Sequence, residues 1–351
     1  MIKYYTRPCN FYYGSLSKKL IKSKQTLPLC GTKEISFDQI EVFSKNKKKI
    51  TSKIINIKKI NFLPKTTKKK IFSDIKKITS KRKFLNKKHI LMGVLNMTPD
   101  SFSDGGKYNS SSKATKKIIK MIKSGADIID VGGESTRPGS KIIPSKIEWK
   151  RIKEIVKKFK NKFPKTLLSI DTRKSFVMKN SIKYKADIIN DVSCFEFDKS
   201  SFKTIKNKNL WKVIHHMQGT PKTMQLNPKY HHVLLDIYDY FEKKIENLKK
   251  SKQSNKIILD PGIGFGKNLK HNLMILNKVS IFHSLGFPIL IGTSRKRFIN
   301  QISKNFDTKE RLGGTLSSIL FTLSQGIQIF RVHNVEEIKQ GILVFETLLK
   351  K

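Results

Sequence analysis

DIIDVGGESTRPGS, residues 127–140, holds the pattern that decides the fold. Its first half is a short run of Ile and Val with the length of a strand buried on both faces. Its second half is polar and punctuated by Gly and Pro, like a loop leaving such a strand. The first half recurs along the chain as ILMGVLN (90–96), LLSID (167–171), DIINDV (187–192), WKVIHHM (211–217), KIILDPG (256–262), PILIGT (288–293) and IQIFRVH (327–333). Helix-length segments separate these runs near 112–124, 145–162, 174–184, 200–208, 229–251, 269–285 and 308–325, and 334–350 closes the chain. Ile118, Ile119, Met121 and Ile122 set against Lys116, Lys117, Lys120 and Lys123 show the amphipathic pattern of a surface helix. Eight strand–helix pairs in ~260 residues predict an α/β fold, a (β/α)8 TIM barrel over residues 86–351. A doubly wound open sheet is the competing arrangement, and the count of eight favours the barrel.

Residues 1–85 differ. They are a Lys-rich N-terminal extension with runs such as Lys47–Lys49 and Lys68–Lys70. EISFDQIEVF (34–43) alternates apolar and polar positions and suggests a small strand unit, and 44–85 has room for a helix. No catalytic constellation stands out there. The segment lacks the apolar core of a secretory signal. Being basic and poor in acid, it leaves an organellar transit peptide open.

The chain has 351 residues and a formal net charge of +47. Such a charge suggests nucleic acid or an anionic surface as partner. The lysines are nevertheless spread over the predicted outer helices as well as the extension, so compositional drift is the simpler reading and a nucleic-acid role is not expected. No apolar run is long enough to cross a membrane. Cys9, Cys30 and Cys194 are odd in number and far apart, which predicts a reducing compartment and neither a disulfide framework nor a zinc site.

In a barrel the active site lies at the C-terminal ends of the strands. Polar groups fall there on every strand: Asn96; Glu134, Ser135, Thr136 and Arg137; Asp171; Asn190 and Asp191; His215, His216 and Gln218; Asp260; Ser294, Arg295 and Lys296; Arg331 and His333. Any one of them has an equally good reading as a cap or a satisfied buried group. Eight strands in eight ending this way indicate one concave polar site. Asp171, Asn190, Asp260 and Lys296 suit a flat heterocycle with donors and acceptors on several edges, since a carboxylate accepts two parallel N–H bonds. Arg137, Arg331 and His333 suit a phosphate or pyrophosphate. Asn96 offers oxygen to Mg2+, which prefers oxygen and keeps waters. The loops 98–112 and 134–144 are longer than ordinary βα connections, as expected of functional loops or lids over the mouth. GIGFGK (262–267) lacks both GxGxxG order and the Walker ending, so it reads as a tight turn that lets Asp260 and Phe265 face the pocket.

Taken together, MGVLNMTPDSFSDGG (92–106), DIIDVGGESTRPGS, SIDTRKS (169–175), INDVS (189–193), HMQGTPKTMQ (216–225), ILDPGIGFGKN (258–268), IGTSRKRFI (291–299), RLGGT (311–315) and RVHNV (331–335) resemble the dihydropteroate synthase family. They cover nearly all of 88–335 in family order. The resemblance implies condensation of 6-hydroxymethyl-7,8-dihydropterin pyrophosphate with p-aminobenzoate. It implies that Asp171, Asn190, Asp260, Phe265, Lys296 and Arg331 hold the pterin. Arg137, Lys296, Arg331 and His333 would act on the reaction, and Asn96 would hold Mg2+ beside the pyrophosphate. Phe102, Thr136, Pro138 and Ser294 would shape the p-aminobenzoate pocket. His215 departs from the pattern, because an apolar residue, often Met, is usual at that place beneath the pterin. The extension is similar, more weakly, to that of some alphaproteobacterial members. A homodimer in the cytoplasm, or in an organellar matrix, is the further implication. The alternatives from other classes are a pterin-dependent methyltransferase domain and a non-catalytic barrel that binds RNA.

Overall fold

The computed structural model describes residues 2–82, 84, 87–98, 107–135, 139–220, 223–250, 256–304, 307 and 310–349, with only the backbone of 107–110. Phe102, Thr136, Arg137 and Pro138 therefore lie outside the described residues, as does much of the two long loops.

The chain opens with β1 (Lys3–Tyr13), α1 (Gly14–Lys22), β2 (Leu27–Pro28), β3 (Ile35–Asn46), β4 (Lys49–Asn56), a 3-10 turn at Ile57–Phe62 and α2 (Lys65–Thr79). Aromatic and β-branched residues fill β1 and β3, which suits a pleated, half-buried surface. β1 runs antiparallel to β3 from Lys3↔Lys45 to Tyr13↔Ile35, and β4 folds back on β3. The expected strand unit at 34–43 is the body of β3, and the expected helix is α2. β1, β4 and α1 were not legible, because Arg7, Pro8 and Asn10 interrupt the pattern of β1 and lysines that of β4 and α1.

This sheet has a core of its own, built on Leu29, Phe37, Ile40, Ile60, Ile71 and Ile78. It also docks on the barrel. Tyr5 is fully buried and meets Tyr238 edge to face, with ring centroids 5.1 Å apart. The Tyr5 hydroxyl donates to Asp239 at 2.9 Å, and Lys3 reaches Asp239 at 2.7 Å and Glu242 at 2.6 Å. Glu41 accepts from Arg7 at 2.7 Å and from Lys278 at 2.6 Å, and the Ser280 hydroxyl donates to the Pro8 carbonyl at 2.9 Å.

The barrel follows as β5 (Ile90–Asn96), α3 (Lys107–Lys123), β6 (Ile128–Gly132), α4 (Ser145–Lys162), β7 (Leu167–Asp171), α5 (Ser175–Lys183), β8 (Ile188–Asp191), α6 (Ser201–Ile205), β9 (Trp211–His215), α7 (Val233–Lys250), β10 (Ile257–Asp260), α8 (Leu269–Asn277), a 3-10 turn at Val279–Leu285, β11 (Leu290–Ile291), α9 (Arg297–Ser303), α10 (Leu312–Leu323), β12 (Ile329–Val332) and α11 (Val335–Leu348). The strands pair in parallel in the order β10-β9-β8-β7-β6-β5-β12-β11. A single bridge, Leu259↔Ile289, joins β10 to β11 and closes the ring, with Leu259 N donating to Pro288 O at 2.9 Å. All eight expected runs are strands. The expected helix at 269–285 breaks at Asn277 into α8 and the 3-10 turn, and the short α9 was not anticipated.

Side chains alternate along a strand, so every second residue points into the barrel. The lower interior layer is apolar: Ile90, Met92, Ile128, Ile188, Val213, Ile258, Leu290 and Ile329, with Phe84 beneath them against Trp211. Two residues further along the same faces come Asp130, Asn190, His215, Asp260 and Arg331, and four residues beyond Leu167 comes Asp171. The apolar floor and the polar mouth thus arise from one alternation.

The extension's docking gives a first test. Tyr5→Ala removes a buried ring and a hydroxyl bonded to a carboxylate, so it should lower unfolding free energy by about 3–5 kcal/mol. Urea unfolding of the full chain measures this. An unchanged midpoint would mean that the sheet contributes nothing to barrel stability.

Candidate active site

Arg331, on β12, anchors the mouth. Its Nε donates to Asp130 Oδ2 at 2.7 Å and its Nη2 to Asp171 Oδ2 at 2.8 Å. Asn190 Nδ2 donates to the same Asp130 oxygen at 3.2 Å. One guanidinium therefore ties β12 to β6 and β7, and β8 joins through the amide. Burial pushes the Asp171 carboxyl up to about 7, with nearby Asp130 adding to the rise against the pull of Arg331. The neighbouring carboxylates hold the Arg331 guanidinium ionised against its burial. Asp130 Oδ1 and Asn190 Oδ1 are buried and have no hydrogen-bond partner within the protein. Such orphaned acceptors need an explanation, and a ligand donor supplies one.

The opposite wall is built from β9, β10 and the turn after β10. Gly262, Gly264 and Gly266 all have positive φ. A Cβ on Gly262 would lie 2.0 Å from the His216 carbonyl oxygen, so only glycine fits there. The Gly262 N–H donates to Asp260 Oδ1 at 2.8 Å, which aims the carboxylate. Burial lifts Asp260 to about 6. Lys296 Nζ sits 4.0 Å from the centroid of the Phe265 ring, a cation–π contact that fixes both. Burial and then the Arg331 charge lower the Lys296 amine to about 8. His215 stands edge-on to Phe265 at 4.6 Å, and burial together with Lys267 and Lys296 holds its imidazole neutral. Protonation of His215, which stands where the family usually has an apolar residue, is thus opposed by its surroundings.

Asp171, Asn190, Asp260, Phe265, Lys296 and Arg331, six residues singled out in the sequence, line one narrow cleft with His215. Ser294 and His333 stand together beside it, Ser294 Oγ being 3.0 Å from His333 Nδ1. Burial and the charges of Arg331 and Arg295 hold His333 down to about 3, so it is a neutral imidazole. Asn96 ends β5, half-buried, paired in register with Gly132, and it does not line the cleft. Sequence reasoning missed Asp130 and Lys267. Asp130 is the carboxylate flanked by Ile129 and Val131 inside the DIIDVGG run, and a charge there needs a partner. Lys267 is fully buried and donates to His216 Nδ1 at 3.0 Å and to the Phe265 carbonyl at 2.9 Å, so its ammonium holds the glycine turn. A larger cavity of about 460 Å³ lies at the other end of the barrel beneath the extension, lined in part by Leu29, Ile35, Phe84 and Phe345.

A parallel barrel with carboxylates, an amide, a lysine and an arginine converging on an aromatic ring at its C-terminal face defines a binder of flat, multiply hydrogen-bonding heterocycles. Residues 92–333 match the pterin binding enzyme family, and the chain belongs to it. Among its relatives, dihydropteroate synthase of Escherichia coli K12 is 41% identical over 263 residues, covering 74% of this chain and 91% of that protein. Dihydropteroate synthase of Clostridium beijerinckii is 38% identical over 278 residues, 78% of this chain and 100% of that one. Among solved structures, the Clostridium difficile dihydropteroate synthase in the presence of pteroic acid superposes with a TM-score of 0.70 at 35% identity, covering 76% of this chain and 100% of that chain. The Yersinia pestis enzyme with a sulfonamide drug gives 0.69 at 37% identity, with 74% and 93% covered.

The shifted groups predict a pH window. Asp260 is anionic above about 6, and Lys296 is cationic below about 8. Pterin affinity should therefore peak between these values and fall on both sides. Lys296→Arg should remove the alkaline limb, because a guanidinium stays charged. Asp260→Asn should weaken binding at pH 7 by roughly tenfold or more, the worth of a charge-assisted bond, and leave only the part of the acid limb set by Asp171, which is lifted to about 7. Calorimetric titrations with a free pterin across pH 5–9 measure all three, and a flat wild-type profile would rule the assignment out.

Proposed function

We propose that this chain is a dihydropteroate synthase, joining 6-hydroxymethyl-7,8-dihydropterin pyrophosphate to p-aminobenzoate. The observation that carries the reading is the single cleft in which Asp171, Asn190, Asp260, Phe265, Lys296 and Arg331 converge. Asp260 accepts from the amidine-like edge of the pterin, and Asn190 presents its unpartnered Oδ1 to another ring donor. Phe265 and Lys296 cover the ring edge. Arg331 has five N–H groups and spends two on Asp130 and Asp171, so the others remain for substrate oxygens. Arg137 and the neutral His333 take the pyrophosphate beside it. Phe102, Thr136, Pro138 and Ser294 shape the p-aminobenzoate pocket.

The chemistry follows from charge. The arylamine is neutral at pH 7 and already nucleophilic. Its nitrogen forms a bond to the pterin methylene as the methylene C–O bond breaks. The electron pair leaves with pyrophosphate, and the extra amine proton passes to solvent. The electron-rich pterin tolerates positive charge at the methylene, so bond breaking can run ahead of bond making. Cations placed at the leaving oxygens lower this barrier, because they act where negative charge develops.

Mg2+ fits this arrangement as a companion of the pyrophosphate. Among the described residues no group of three His, Cys, Asp or Glu side chains is placed to hold a metal ion. Asn96 offers one oxygen near the mouth, which suits an ion that takes most of its ligands from phosphates and water. When bound there, the ion would supply further positive charge to the departing pyrophosphate.

A homodimer is the assembly we favour. Phe321 on α10 and Leu343, Val344 and Leu348 on neighbouring α11 are all exposed, an apolar surface that a second copy would cover. The expected outcome is a dimer in sedimentation velocity that Leu343→Glu shifts towards monomer. A monomer at micromolar concentration would refute it. The three cysteines are free, which suits the cytoplasm or an organellar matrix. No helix of the described residues is long and apolar enough to cross a membrane.

The activity is tested directly. The purified full chain with both substrates should release pyrophosphate and form dihydropteroate in equal amounts, and a chelator should suppress turnover. Absence of product with p-aminobenzoate, in a protein that binds pterin, would leave a pterin-binding barrel of another activity.

A further inference from the structure

His215 closes β9 and Asp260 closes β10, and the two are paired in register, so their side chains enter the barrel side by side. The histidine is 3% exposed and is held by its neighbours. The Phe265 ring stands edge-on to it at 4.6 Å. The glycine turn packs so closely over it that a Cβ on Gly262 would lie 2.9 Å from His215 Cε1. Behind the ring, the Tyr240 hydroxyl donates to the His215 carbonyl at 3.1 Å.

Packing alone makes no use of the two ring nitrogens, and the protein leaves both without a bond. Nδ1 is buried and has no hydrogen-bond partner. Nε2 stands 3.9 Å from Asp260 Oδ2, beyond hydrogen-bond reach. The Val192 backbone favours a proton on the ring, but burial and the charges of Lys267 and Lys296 outweigh it and keep the imidazole neutral. A neutral imidazole carries one N–H and one lone pair. Leaving them buried and unmet is costly, and in a residue that lines the cleft a ligand can meet them.

The spacing of the two acceptors selects the ligand group. Asp260 Oδ1 already accepts from the Gly262 N–H at 2.8 Å, so Oδ2 is the oxygen that looks across to the imidazole. A ligand nitrogen set about 2.9 Å from both Oδ2 and Nε2 would see them roughly 85° apart, within bending reach of the ~120° between the two N–H bonds of a planar amino group. A hydroxyl or a ring N–H has one hydrogen and serves one acceptor. A carbonyl oxygen at that place would meet two acceptors and no donor.

We propose that His215 is a specificity-determining residue: its Nε2 accepts one N–H of the 2-amino group of the bound pterin, while Asp260 Oδ2 accepts the other. The imidazole proton then sits on Nδ1. This rests on the reading of the cleft as the pterin site. Recognition of the amino group becomes a two-acceptor contact, one charged and one neutral.

The test uses the full chain and two heterocycles: pterin, and pteridin-4-one, which has hydrogen in place of the 2-amino group. Calorimetry gives the ratio of their Kd values. His215→Met keeps the bulk and removes both nitrogens. His215→Gln keeps an acceptor at about the reach of Nε2. The preference for pterin should fall about fivefold in His215→Met, the worth of one net hydrogen bond, and largely return in His215→Gln. A packing role would weaken both heterocycles alike and leave the ratio unmoved, and that result would overturn the proposal. So would nitrogen-15 shifts of the wild-type pterin complex that place the imidazole proton on Nε2, a measurement that decides the matter even where His215→Met fails to fold. A wild-type chain that binds neither heterocycle would refute the pterin site itself, whereas tight pterin binding with an unaltered ratio refutes only the role of His215.

Discussion

The guanidinium of Arg331 is the constraint on which the mouth of this barrel depends. It spans from β12 to carboxylates on β6 and β7, and Asn190 on β8 shares one of them. Charges buried this deeply are tolerable only when paired and hydrogen-bonded, and removing one partner strands the others. The bridge also fixes register. Slipping β12 by one residue would turn Arg331 out towards the helices and leave Asp130 and Asp171 facing each other with no cation between them. Setting the register of β12 and building the ligand cleft are thus satisfied by the same bonds. Ile329, two residues earlier on the same face, belongs to the apolar floor, so the transition from packing to chemistry takes one repeat of the strand alternation.

Much of this was legible in the sequence, for a physical reason. Strands buried on both faces are continuous apolar runs, and eight of them cannot be hidden in a lysine-rich chain. Their polar ends were equally plain. Asp130 was not, because a carboxylate flanked by Ile129 and Val131 looks like part of the strand until its partner Arg331 is known, about 200 residues away. Lys267 was taken with its glycine turn, since nothing local distinguishes a solvent lysine from one holding three loop groups. The roles expected of Phe102, Thr136, Arg137 and Pro138 rest on the resemblance alone. The extension was read worst: the lysines that mask its periodicity sit on the faces turned to water, while Tyr5, Phe37 and Ile40 carry the packing.

The same contrast clarifies the net charge of +47. The chain has only 26 acidic residues, and among the described residues eight of them are buried: Glu41, Asp74, Asp130, Glu134, Glu148, Asp171, Asp191 and Asp260. Each accepts hydrogen bonds within the protein, Asp74 from Thr6 and Lys70 and Asp191 from Ser193 and the Phe195 backbone, so its position carries structural information. Most lysines have no comparable partner and lie at the surface, where an ion pair is worth little in any case. The excess positive charge is therefore a property of the solvated exterior. The interior is close to balanced, with Arg331, Lys296 and Lys267 set against Asp130, Asp171 and Asp260 at the mouth.

That balance gives the extension a definite mechanical place. It presses on α7, where Lys3, Tyr5 and Lys45 all converge on Asp239. The next residue, Tyr240, lies about 100° further round the helix and so faces the barrel. Its hydroxyl donates to the carbonyl of His215 at 3.1 Å, and the His215 side chain lines the cleft. On the other flank, Arg7 and the Pro8 carbonyl hold the 3-10 turn that precedes β11, the strand leading to Lys296. The sheet contributes no group to the mouth. It braces, from behind, the two elements whose strands carry His215 and Lys296, and these are the elements on which the cleft wall opposite Arg331 is built.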